Sequence, residues 1–380
     1  MQNIISSYKR FKNQNLKGRY FNYDKVESEI KKLTNPVFEI QQLGYSVQRR
    51  PIYKISFGIG NFKILIWSQM HGNESTSTKA IFDLLNLIQD TDYTVLDYFK
   101  HVTVHIIPVL NPDGLEAYTR VNANEVDLNR DALECSQPES KILRRCVESI
   151  QPDFCFNMHG QRTIFSAGFE TKPATLSFLS PSINEERAVT SVRKKVMQLI
   201  VGINEGLQVH IPQQIGRYDD AFNINCTGDY YQSNKIPVIL FESGHYKDDY
   251  QREKVREFTF YALIKGIEIL ATNQLNNFNY KSYFEIPQNQ KLYFDVIVRN
   301  VNINDKIISL GILYEEQLES EHIKFVPKIS EVGDLTNFFG HIEIDANKDL
   351  IYYKDTIVDK KPDIKTIFEV DKVKLNRLSE

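Results

Sequence analysis

Cysteine is scarce in this chain: Cys135, Cys146, Cys155 and Cys226 are the only four in 380 residues, and none sits in a Cys-x-x-Cys pair. That excludes a disulfide framework and leaves free thiols, behaving as small buried hydrophobes, as the expectation. A long apolar run is missing too. Runs such as IIPVL and VILF fall far short of the roughly 18 residues that a bilayer span needs. The first twenty residues interleave Lys, Arg, Asn and Gln with a few apolar positions. They lack the continuous apolar stretch of about 7–15 residues that marks a secretory signal. Charge of one sign is also absent: 46 Lys and Arg face 49 Asp and Glu, a net charge of −3. There is no electrostatic footprint for nucleic acid or an anionic membrane. The expectation is a cytoplasmic protein with neither as a partner. Nothing in the composition speaks to oligomeric state.

What is present is an ordinary globular balance, 42% hydrophobic and 25% charged, over a length that suits a large unit plus a smaller one. Residues 1–35 read as a charged, helical N-terminal extension that ends at Asn35-Pro36. Beyond it, β-rich runs (YKISFGIG, KILIWSQM, VTVHIIPVL, DFCFNMH, PVILFES) alternate with helix-period segments such as STKAIFDLLNLIQ and ESKILRRCVESI. Strands that are apolar without clean alternation point to a sheet buried on both faces. The expected fold is α/β: a mixed, mostly parallel central sheet with helices on both faces, over residues 36–275. After the polar hinge NQLNNFN the pattern turns to strands (KLYFDVIVRNVNI, KIISLGILY, HIKFVPKI, GHIEIDA, DLIYYKD), and residues 281–380 read as a small β-rich domain.

Four polar motifs each follow a strand-like run directly: His71-Gly72-Asn73-Glu74, Asn111-Pro112-Asp113-Gly114, His159-Gly160 and Glu242-Ser243-Gly244. Ligands of open α/β sheets bind beyond the carboxyl ends of the strands, so parallel neighbours would bring all four motifs to one edge. Two imidazoles and a carboxylate (His71, Glu74, His159) suit a catalytic zinc ion with one position open, and a second carboxylate, Glu242, would then serve the water bound there. His101 and His105, four apart in a strand-like run, are read as structural, as are His210, His245, His322 and His341.

These residues resemble the zinc metallocarboxypeptidases. His71-Gly72-Asn73-Glu74 is similar to the family's first zinc motif, LGYSVQRRPIYKISFG to its lead-in, Asn111-Pro112-Asp113-Gly114 to a following turn, and RVNANEVDLNR to its R…DLNR segment. The resemblance covers roughly residues 38–270 and none of the β-rich tail. It implies one zinc ion held by His71, Glu74 and His159, with Glu242 as the general base. It further implies that Arg120 stabilises the oxyanion, that Asn129 and Arg130 bind the substrate carboxylate, and that Asp127 hydrogen-bonds His71. Tyr218, Tyr230 and Tyr231 compete for the family's mobile tyrosine, with Tyr218 preferred. The implied activity is release of a C-terminal amino acid from a peptide. The alternative is a zinc deacylase or amidase acting on N-acyl amino acids or peptidoglycan peptides, and a non-catalytic binding protein is disfavoured because no ligand and no base is missing.

Overall fold

A computed structural model describes residue 4 and residues 6–90, 94–169, 171–303 and 306–346. The helices are α1 (Tyr8–Phe11), α2 (Tyr23–Lys31), α3 (Thr76–Gln89), α4 (Pro112–Ala117), α5 (Pro138–Ile150), α6 (Ser191–Leu207), α7 (Thr227–Ser233) and α8 (Glu253–Ala271). The strands of the larger unit are β1 (Glu39–Tyr45), β2 (Pro51–Gly58), β3 (Phe62–Ser68), β4 (Val102–Ile107), β5 (Phe154–Gly160), β6 (Phe165–Ala167), β7 (Leu176–Leu179), β8 (Ile215–Arg217) and β9 (Val238–Ser243). Eight of these form one sheet in the order β1-β2-β4-β3-β5-β9-β7-β8. Its centre, β4-β3-β5-β9, is parallel throughout, and antiparallel pairs flank it on both sides.

The unalternating apolar runs have a plain cause. Along β3, Ile64 and Ile66 face one core with α3 and α8, while Leu65 and Trp67 face a second core with α5. The central strands β3, β5 and β9 are therefore buried on both faces. On α5, Pro138 occupies the first turn, where its missing N–H costs nothing. Ile142, Leu143, Cys146, Val147 and Ile150 then recur on one side and bury against the sheet. Among the described residues no helix is long and apolar enough to cross a membrane, and all four cysteines are free.

The N-terminal residues build core rather than standing apart from it. Tyr8, Phe11, Leu16 and Phe21 share a buried cluster with α3 and α8. Beneath them the Asp83 carboxylate takes the Arg256 guanidinium and the Tyr8 hydroxyl, both partners of the ion pair being fully buried. At the other end, β11 (Tyr293–Ile303), β12 (Lys306–Glu319), β13 (His322–Gly333) and β14 (Phe339–Asp345) form a separate four-stranded sheet in the order β13-β12-β11-β14 with its own small core. The short β10 (Asn289–Lys291) pairs with β6 and joins this region to the larger unit. The strand expected at DLIYYKD lies outside the described residues.

Candidate active site

Parallel pairing of β4, β3, β5 and β9 brings the four motifs to one sheet edge. His159 and Glu242 are direct register partners on β5 and β9. His71 and Glu74 lie in the tight turn after β3, where the Glu74 N–H donates to the His71 carbonyl at 3.1 Å. Asn111, after β4, supports this turn instead of joining the site. Its side chain caps α4 by accepting from the Gly114 N–H at 2.8 Å, and its amide donates to the Met70 carbonyl at 3.2 Å. A glycine is required at 72: a Cβ there would lie 1.8 Å from the Gly114 carbonyl carbon.

His71 Nδ1 lies 2.9 Å from Glu74 Oε1, His159 Nδ1 lies 3.0 Å from Glu74 Oε2, and the two ring nitrogens are 3.2 Å apart. Two imidazole nitrogens and a carboxylate oxygen thus aim their lone pairs at one point. Zinc bonds of about 2.0–2.1 Å in a tetrahedron put ligand atoms about 3.3 Å apart, so the set fits the ion. It is the one such cluster among the described residues. On its far side, His71 Nε2 faces Asp127 Oδ1 at 3.0 Å, whereas His159 Nε2 is buried without a partner among the described residues.

Electrostatics follow from this crowding. Burial works against a charged His71, but Glu74 and the Asp127 hydrogen bond outweigh it and lift its pKa to about 9. Burial instead pulls His159 down. Glu74 is held low, its own burial overcome by the two imidazoles. Glu242 moves the other way, raised far above the usual carboxylate range by burial and by the Glu74 charge beside it, with its buried Oε2 lacking a partner among the described residues.

Around this centre a cavity of about 760 Å³ gathers Arg120, Asn129, Arg130 and Tyr218. Arg120 Nε donates to Asp127 Oδ2 at 3.0 Å, and its Nη1 comes within 3.5 Å of Glu74. Asn129 Oδ1 accepts from the Thr227 N–H at 3.0 Å, which leaves the side-chain NH2 for the cavity; Arg130 is exposed and donates Nη1 to the Asn129 backbone carbonyl at 2.7 Å. Of the three tyrosines, Tyr218 alone lines the cavity. Tyr231 is buried against Trp67, and Tyr230 lies under the Arg144 guanidinium. Gly228 also lines the cavity, next to Asp229, whose burial raises it to about 6.

Several wall residues carried no motif in the sequence: Arg19 from the N-terminal segment, Arg252 at the start of α8, and Tyr314 and Glu316 from β12. Arg252 does have a mark of its own, a left-handed backbone (φ 57°), visible only in the folded chain.

The fold is α/β, and a cluster of donors that could hold a metal ion lies at the carboxyl edge of its mostly parallel sheet. Residues 25–141 match the zinc carboxypeptidase family. Carboxypeptidase SOL1 of Arabidopsis thaliana is 31% identical over 165 residues, 37% of this chain and 33% of that protein. Carboxypeptidase M of Mus musculus is 25% identical over 200 residues, 44% of this chain and 45% of that protein. The chain thus spans less than half the length of these relatives. A metallo-carboxypeptidase from Burkholderia cenocepacia shares the fold at a TM-score of 0.53 and 18% identity, covering 67% of this chain and 70% of that one. One from Pseudomonas aeruginosa does so at 0.54 and 17%, covering 67% and 70%.

Proposed function

We propose that the protein hydrolyses a peptide bond and releases the C-terminal residue, with one zinc ion held by His71, Glu74 and His159. The observation that carries this reading is the meeting, in one cavity, of the three-donor cluster, the Glu242 carboxylate with a buried Oε2 that lacks a partner among the described residues, and Asn129 beside an exposed Arg130. The ion, when bound, supplies Lewis acidity that brings a water near a pKa of about 7 and polarises a carbonyl. Glu242 accepts the proton of the attacking water and passes it to the leaving amine, a task suited to a carboxylate whose surroundings raise its proton affinity. Arg120 stabilises the negative charge that develops on the scissile carbonyl oxygen. Arg130 grips the terminal carboxylate with its planar fork and Asn129 donates its amide, which fixes the register of the cut. Tyr218 lies against Phe165, ring centroids 5.4 Å apart, and turns its hydroxyl to the substrate. Asp127 fixes the His71 tautomer.

A peptide-library digest read by mass spectrometry, with and without chelator, tests the reading. The expected result is metal-dependent loss of single C-terminal residues, with amide-blocked peptides spared. Arg130→Ala is expected to erase most of that difference between free and blocked ends. If Arg130→Ala cleaves both as the unaltered chain does, the exopeptidase reading fails. Release of a free acyl acid in place of a terminal amino acid would move the assignment to a deacylase or amidase.

A further inference from the structure

Part of the cavity wall, termed the second arm, is built beyond the strand ends that carry His159 and Glu242, where Arg252 bonds the Ser243 and Gln161 carbonyls. Arg19, Arg162, Arg252, Lys291, Tyr314 and Glu316 line it, drawn from the N-terminal segment, the larger unit and the C-terminal sheet. Among the described residues no hydrogen bond or ion pair joins these six to Asn129 or Arg130, which occupy the arm beside α7.

Charge in the second arm is unbalanced. Glu316 is its one carboxylate, and it is already committed: Arg19 Nη2 reaches both oxygens at 2.8 Å and the Tyr118 hydroxyl donates to one of them. The other three cations, Arg252, Arg162 and Lys291, have no carboxylate within ion-pair distance among the described residues. Arg252, 2% exposed, donates Nη1 to the Ser243 carbonyl at 2.8 Å and Nη2 to the Gln161 carbonyl at 3.0 Å. Its Nε is buried without a partner among the described residues. Burial, with Arg19 nearby, pulls its pKa down to about 10, so it stays charged at neutral pH. Arg162 and Lys291 are exposed and form no ion pair among the described residues. Arg252 hydrogen-bonds only to carbonyls, and the Glu316 and Asp249 charges offset its burial in part, since its pKa still falls; a further anion would offset more of that cost, and two exposed cations on the same wall would steer one in.

We propose that this arm is an anion subsite for the acyl side of the substrate, so that the preferred peptide carries an acidic side chain on the residue just before the one released. The inference rests on the function proposed above: a terminal carboxylate seated on Arg130 sends the rest of the peptide across the metal ligands into the second arm. It also gives the C-terminal sheet and the N-terminal segment a task, since they supply part of that wall.

The test compares peptides that share a C-terminal residue and differ only in Glu, Gln or Lys before it. The zinc-loaded full chain is assayed at low and high salt. Expected is a kcat/KM for Glu about tenfold above Gln, with Lys below Gln, and a gap that narrows as salt rises. Arg162→Gln with Lys291→Gln, both at exposed positions, should bring the Glu/Gln ratio within about twofold, while Arg162→Lys with Lys291→Arg preserves it. Glu and Gln within twofold for the unaltered chain, or a ratio the double Gln variant leaves unmoved, overturns the subsite. If no peptide is shortened, the proposed function fails, and the subsite is decided separately by fluorescence anisotropy of labelled Glu and Gln peptides on metal-free protein. There, Glu binding about fivefold tighter supports it and equal binding overturns it.

Discussion

The His71 ring is held from both sides: Nε2 faces Asp127 Oδ1 at 3.0 Å, and Nδ1 faces Glu74 Oε1 at 2.9 Å. Asp127 also accepts from Arg120 Nε and from the Asn129 N–H. One carboxylate therefore aligns His71, the proposed metal ligand, Arg120, the proposed oxyanion partner, and Asn129 of the proposed carboxylate-binding pair. Asp127→Asn keeps the shape but loses the charge, and it turns an N–H group toward either His71 or Arg120. Zinc affinity is expected to fall by about 10–100-fold, measured by competition with a chelator of known affinity, while the thermal midpoint of the metal-free protein changes little.

A second prediction concerns backbone approach. Gly72 passes so close to Gly114 that a Cβ would sit 1.8 Å from its carbonyl carbon. No rotamer change relieves a clash with backbone, so the turn carrying His71 and Glu74 has to separate from α4. Gly72→Ala is expected to destabilise the fold by about 3 kcal/mol, read as a lowered urea midpoint with an unchanged slope.

Much of this was legible in the sequence, for definite reasons. Two-sided burial leaves a mark in composition, so β3 reads as a central strand from Ile64, Leu65, Ile66 and Trp67 alone. Motifs placed after such strands inherit a common edge, which is why His71, Glu74, His159 and Glu242 could be gathered before any coordinates. The second arm was not legible. Arg19 and Glu316 are 297 residues apart, and an ion pair between such positions has no spacing to betray it. Tyr218, Tyr230 and Tyr231 are chemically alike, and only tertiary position puts the first in the cavity and the second beside Arg144. The N-terminal segment hides its core role for a related reason. Tyr8 and Phe11 lie in the single turn of α1 and Leu16 and Phe21 on irregular chain after it, too short a helix to show a period.

Acid sensitivity is predicted at the clamp on that segment. Glu253 accepts from Lys79 Nζ at 2.8 Å and from the Gly18 N–H at 3.1 Å, and pairs with Lys12 at 2.6 Å. Burial pushes Glu253 up, but Lys79 and the hydrogen bond from Lys12 outweigh it and bring its pKa down to about 2. Lys79, wholly buried, is itself pulled down to about 8 by burial and remains mostly charged at neutral pH. A carboxylate whose folded pKa lies below its unfolded value contributes stability that is fully present above about pH 4.5 and is lost as pH falls toward 2. Glu253→Gln should therefore cost about 2 kcal/mol at pH 7 and flatten the dependence between pH 4.5 and 2. Urea unfolding of chelator-treated protein at several pH values measures both.

The last prediction separates holding the metal from using it. Glu242 is not among the three converging donors, and its Oε2 is buried without a partner among the described residues. Its proton affinity is raised by burial and by the neighbouring Glu74 charge. A carboxyl whose folded pKa lies above its unfolded value opposes folding once pH exceeds the unfolded value, since the fold then has to accommodate a disfavoured charge or retain a proton. Glu242→Gln removes that charge and keeps the shape. Zinc content should stay at one ion per chain, while peptide hydrolysis falls by about a thousandfold and the metal-free protein becomes about 1 kcal/mol more stable at neutral pH. Metal analysis, steady-state kinetics and denaturant melts of the same preparation give the three readings. Loss of zinc together with loss of activity would make Glu242 a ligand and not a base, and a variant less stable than the unaltered chain would show that its carboxylate holds the fold.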